Sequence, residues 1–72
     1  MSLDTHREGE IIFNRILGDY GGEISRYTLE GLMLYEYNYS NVLAYTIILN
    51  LVGDGRLKLI KHSDGEYYKI LR

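Results

Sequence analysis

An α+β fold is predicted by the order of hydrophobic periods along this chain: helical spacing up to Val52, then alternating spacing from Leu57 onward. Three observations carry the prediction. Ser40 is a helix-start residue followed by an almost unbroken apolar run to Val52, and Gly53 and Gly55 stop it. Leu57 to Lys61 and Glu66 to Leu71 then read as two strands joined at Asp64-Gly65. Upstream, two further segments repeat apolar residues at three- and four-residue steps, the mark of helices that bury one face.

The first helix is expected from about Thr5 to Asp19. Asp4 or Thr5 supplies its cap, and Thr5 with Glu8 has capping-box spacing. Ile12, Phe13, Ile16, Leu17 and Tyr20 form the buried stripe, widened by Ile11, and Gly21-Gly22 ends the helix. Glu23-Ile24 is a short extended piece, long enough to add an edge to a hairpin. Ser25 caps a second helix, with Leu29, Leu32, Met33 and Tyr37 at helical spacing. Gly31 inside that helix costs about 1 kcal/mol relative to alanine, which a close approach by another helix would explain. The turn into the third helix is expected around Asn38, a residue that accepts turn geometry.

In the third helix, Ala44, Ile47, Ile48 and Leu51 fall on one face at 100° per residue. Val42, Thr46 and Leu49 point roughly the other way, flanked by Tyr45 and Asn50. A half-buried helix is normally polar on that side. In the hairpin, an Asp64-Gly65 turn pairs Ser63 with Glu66, His62 with Tyr67 and Leu59 with Ile70. One sheet face then collects Leu57, Leu59, Tyr68 and Ile70, and the other Lys58, Ile60, His62, Tyr67, Lys69 and Leu71.

The bulk composition limits the function classes. Seventy-two residues make one domain, 1–72, with residues 1–4 expected to be flexible or vector-derived. There is no cysteine to form a disulfide or a thiolate metal site. No apolar run reaches the roughly 18 residues that cross a bilayer, so no membrane association and a cytoplasmic location are expected. Net charge is −2, spread unevenly: seven acids against three bases in residues 1–36, then three acids against five bases in residues 37–72. His6 and His62 have no ligand-spaced carboxylate pair beside them, Gly53-Asp54-Gly55 leads into a strand rather than a helix, and Ser25 and Ser40 are caps without a base partner. The chain is not expected to be an enzyme or to need a metal or cofactor.

Several residues together resemble the winged helix-turn-helix superfamily. Ile24-Ser25 looks like the opening of its second helix. Ser40, Ala44, Ile48, Leu51 and Gly55 match the spacing of its recognition helix and exit, and Arg56-Leu57 its entry into the wing. The resemblance spans about Thr5 to Leu71. It implies a three-helix winged helix-turn-helix with a C-terminal β-hairpin wing and a short first strand, acting as a small DNA-binding transcriptional regulator. Duplex DNA would then meet Asn41, Tyr45 and Thr46 on the third helix and Arg56, Lys58, Lys61 and Lys69 at the wing.

One departure supports a different class. Asn41 to Val52 contains no Arg or Lys, so the third helix forgoes phosphate neutralisation. Eight of the nine aromatics are tyrosines, suited to interfaces. The alternative is therefore a protein-interaction or dimerisation module that does not bind DNA, with Val42, Leu49, Ile60, Leu71, Tyr35 and Tyr39 at the interface. A homodimer is expected on either reading, from the spare apolar surface of Val42, Leu49, Ile60 and Leu71 and the small core.

Overall fold

A computed structural model describes residues 4–72 of the chain; the reading of Met1 to Leu3 as a vector remnant lies outside them. Three helices and a three-stranded antiparallel sheet follow in the order α1 (Thr5–Tyr20), β1 (Glu23–Ser25), α2 (Arg26–Gly31), α3 (Asn41–Gly53), β2 (Leu57–His62) and β3 (Gly65–Ile70). The strands lie in the spatial order β1-β3-β2. The short segment before α2 is thus the sheet edge that Glu23-Ile24 predicted.

Asp4 belongs to the folded unit rather than to a flexible tail. Its carboxylate caps α1 by accepting from the His6 and Arg7 N–H groups (3.1 and 3.2 Å). The Thr5–Glu8 capping box does not form, and Glu8 is engaged elsewhere. Ile12, Phe13 and Ile16 are buried as their spacing predicts, whereas Tyr20, at the end of the stripe, is exposed.

Ser25 and Ser40 cap α2 and α3, accepting from the Thr28 N–H (3.0 Å) and the Leu43 N–H (3.1 Å). Past Gly31, α2 widens into a π-helical turn over Leu32–Glu36, where the Tyr37 N–H donates to the Leu32 carbonyl (3.1 Å). Leu32 and Met33 remain buried through it. Asn38 then reverses the chain at φ 57°, the left-handed conformation that asparagine tolerates. No helix approaches Gly31: its backbone is ordinary α-helix (φ −61°), and a Cβ there would meet open space.

α3 buries Leu43, Ala44, Ile47, Ile48 and Leu51. Their core partners are Ile12, Phe13 and Ile16 of α1, Leu29, Leu32 and Met33 around α2, and Ile24, Leu57, Tyr68 and Ile70 from the sheet. The core contains no buried polar residue among the described residues. Each large side chain so buried contributes about 1.5–3 kcal/mol. Gly55, at φ 78°, turns the chain out of α3 in a conformation that a Cβ would oppose, and sets Leu57 back into the core.

The hairpin register differs from the expected one by two residues. Ser63-Asp64, not Asp64-Gly65, forms the loop, so His62 pairs with Gly65, Leu59 with Tyr68 and Leu57 with Ile70. The left-handed φ falls on Gly65 (144°), and neither Ser63 nor Asp64 has a positive φ. A two-residue slip preserves side-chain parity, so both sheet faces keep their expected members. Only depth changes: Leu59, placed in the core by its parity, is exposed on β2, an edge strand of the sheet.

Two glycine substitutions test this backbone. Gly65→Ala forces a side chain into the left-handed region and is expected to cost about 1–3 kcal/mol by chemical denaturation. Gly31→Ala removes flexibility at an open helical position and is expected to stabilise by about 0.5–1 kcal/mol.

Candidate interaction surface

The outward face of α3 is apolar along its length. Val42, Tyr45, Leu49 and Val52 follow a three-four-three spacing and form one stripe, with exposures of 77%, 65%, 51% and 39%. Asn41 to Gly53 includes no ionisable group other than the Tyr45 phenol. Thr46 is half-buried, and its hydroxyl donates to the Val42 carbonyl (2.8 Å), a bond within the helix. Beside the stripe lies a groove of about 260 Å³, lined by Glu30, Leu34, Asn41, Ala44, Tyr45 and Ile48. Tyr45 also stands near enough to Tyr68 to add to the upward shift of its phenol pKa, a shift that comes mainly from burial. Leu59, opposite Tyr68 on β2, is a further exposed apolar side chain.

The expected cationic residues do not converge on this face. Arg56 pairs with Glu10, and its guanidinium lies 4.8 Å from the centre of the Phe13 ring, so it fastens the α3 exit to α1. Lys58 and Lys69 sit directly opposite one another on the sheet face turned away from the core. Only Lys61 shares the face that carries Leu57, Leu59 and Tyr68. None of the three lysines has an acidic partner within ion-pair distance among the described residues. Arg15 and Arg26, by contrast, are occupied. Arg15 holds Asp19 (2.6 Å), Glu36 (2.7 Å) and the Tyr37 hydroxyl (3.3 Å), and Arg26 holds Glu30 (3.1 Å) and Glu66 (2.5 Å).

The expected interface set divides as well. Val42 and Leu49 lie on the α3 stripe, while Ile60 and Leu71 fall by parity on the reverse face of the sheet and are half-buried. Tyr35 is 86% exposed on the π turn. Tyr39 belongs to the fold: it packs on the core edge 5.6 Å from the Tyr37 ring, and its hydroxyl donates to Glu8 (2.5 Å). Sequence reasoning missed Val52 and Leu59 as surface residues. The three-four-three spacing from Val42 was the signal for Val52; nothing in the spacing distinguished Leu59 from Leu57.

On the reverse of the sheet, His62 reaches Glu23 (2.9 Å) and stands edge-on to Tyr67 (4.7 Å between centroids). The Tyr67 hydroxyl donates to Asp64 (2.9 Å). These contacts tie the three strands together. No group of three or more potential metal ligands occurs among the described residues, and no described helix is long and apolar enough to cross a membrane. No protein-family model, curated protein or solved structure matches the chain.

Tyr39 generates a prediction at alkaline pH. Burial first, then the Glu8 carboxylate, raise its pKa well above the ordinary phenol value. An unfolded tyrosine ionises near pH 10, so the folded state holds this proton where the unfolded chain loses it. The resulting stability is complete below about pH 10 and is lost as pH rises beyond it. Urea midpoints should therefore fall progressively as pH rises above about 10. Tyr39→Phe should lessen that fall without abolishing it, because Tyr67 and Tyr68 are shifted the same way. At neutral pH the same substitution is expected to cost about 1–2 kcal/mol.

Proposed function

We propose that the chain is a winged-helix domain in which α3 serves as a protein-contact surface. The element order, with β1 at the edge of a β1-β3-β2 sheet, supports the winged-helix part of this reading. One observation carries the functional part: the stripe Val42, Tyr45, Leu49 and Val52 is exposed on a helix that has no cation. A helix that enters a DNA groove needs hydrogen-bonding side chains at base edges and positive charge at phosphates. This one offers neither along its stripe, apart from the Tyr45 hydroxyl. Desolvating branched aliphatic and aromatic side chains against another protein is what such a surface favours.

A second reading, duplex DNA binding by a transcriptional regulator, is favoured by the three lysines without acidic partners on the hairpin. Its machinery is Lys58, Lys61 and Lys69 for phosphates, with Asn41 and Tyr45 toward the bases. The two readings separate in a titration of random duplex DNA at about 50 and 200 mM salt. The protein-contact reading expects no binding tighter than about 100 µM at the lower salt, the weak limit of non-specific affinity. Micromolar binding that weakens roughly 40-fold across that range, as three phosphate contacts require, and is lost in Lys58→Glu/Lys69→Glu, overturns it in favour of DNA.

A further inference from the structure

We infer that the occupant of the α3 stripe is a second copy of this chain, packed antiparallel about a two-fold axis that crosses the stripe at the level of Ile47 along the helix. The inference rests on the protein-contact reading of α3 and goes beyond it by naming the partner and the register. The stripe is its own mirror in sequence: Val42 and Val52 lie five residues on either side of Ile47, and Tyr45 and Leu49 two residues on either side. Antiparallel pairing therefore sets Val42 against Val52 and Tyr45 against Leu49, each contact occurring twice, as an isologous interface requires.

Three further features suit this partner. The stripe carries no charge, so two copies meet without like-charge repulsion, and antiparallel helices oppose their dipoles. Its three-four-three spacing is that of a helix-packing seam. The groove beside it, with Leu34, Ala44 and Ile48 among its walls, opens next to the N-terminal half of α3. In this register the C-terminal half of the partner's α3 lies across that opening, so its Leu49 and Val52 are the side chains that reach the groove.

The area is sufficient for a weak dimer. A 13-residue helix is about 20 Å long. Four large side chains along it offer on the order of 400 Å² per copy, or roughly 800 Å² in all. That total falls at the low end of specific interfaces, where a dissociation constant of about 1–100 µM is expected.

Sedimentation equilibrium from about 5 to 500 µM, a range that brackets this affinity, tests the inference. The expected result is a mass that rises from 8.4 kDa toward twice that value with concentration. Leu49→Lys, and independently Val42→Lys, should each weaken association at least about tenfold with an unchanged far-ultraviolet circular dichroism spectrum. Val42 is so exposed that its replacement leaves the core intact. Ile60→Lys, on the reverse sheet face, should leave association unchanged. The chain has no cysteine, so orientation is readable from a mixture of Val42→Cys and Val52→Cys chains treated with a short bis-maleimide. The antiparallel register expects the mixed 42–52 product in excess of 42–42. A mass of 8.4 kDa throughout, a dimer that survives both lysine variants, or a predominant 42–42 product overturns the inference. A monomer that also fails to bind DNA removes the self-association while sparing the protein-contact reading; DNA binding removes that reading itself.

Discussion

The inner face of α3 is the contact on which the other elements depend. Ile47 is fully buried, with Gly9 of α1 beside it, and Ala44, Ile48 and Leu51 extend the same face along the helix. Helix 1 brings Ile12, Phe13 and Ile16 to it, the π turn after α2 brings Leu32 and Met33, and the sheet brings Ile24, Leu57, Tyr68 and Ile70. A chain of this length has little apolar area to spare for a second core. Losing α3 would therefore remove the common surface against which each of the other elements is buried. Gly55 and Arg56 secure the exit from that helix, one by backbone conformation and the other through Glu10 and Phe13 of α1.

Electrostatics divides three arginines and the three hairpin lysines into two groups with different work. Arg15, Arg26 and Arg56 span more than one element each: α1 to the π turn, α2 to the hairpin, and the α3 exit to α1. Their planar heads hold two acceptors at once, or a carboxylate and an aromatic ring. These pairs are partly exposed, so each contributes modestly. Their effect on function is subtractive, because a paired arginine is no longer free charge for a phosphate. The lysines keep their charge, yet Lys58 and Lys69 face away from the side of the sheet on which α3 packs. Charge and helix surface are thus separated in space, although they are close in sequence.

The hairpin and the tyrosines show where sequence reasoning held and where it did not. Face membership in the hairpin survived a two-residue error in register, since parity repeats every two residues. The turn itself was misplaced because Asp64-Gly65 suits a two-residue loop, whereas Ser63-Asp64 followed by Gly65 confines the left-handed backbone to the glycine. The tyrosine cluster failed differently. Tyr37 and Tyr39 are drawn onto the core edge by Arg15 and Glu8 of α1, more than twenty residues distant, and no local pattern encodes such a partner.

Sequence alone determined the α+β class, both helix caps at Ser25 and Ser40, the buried face of α3, the edge strand and the two faces of the hairpin. Each follows from periodicity, capping chemistry or parity, which act within a few residues and so can be read in one dimension. It also determined that α3 carries apolar residues on a second side. Only the tertiary structure decided that nothing among the described residues covers that side, because exposure depends on where distant elements pack. It likewise decided that Arg56 belongs to α1, that Lys58 and Lys69 face the reverse of the sheet, and that Leu59 emerges at the surface. An uncovered stripe of this kind is defined by what fails to reach it, and that is settled by the whole fold.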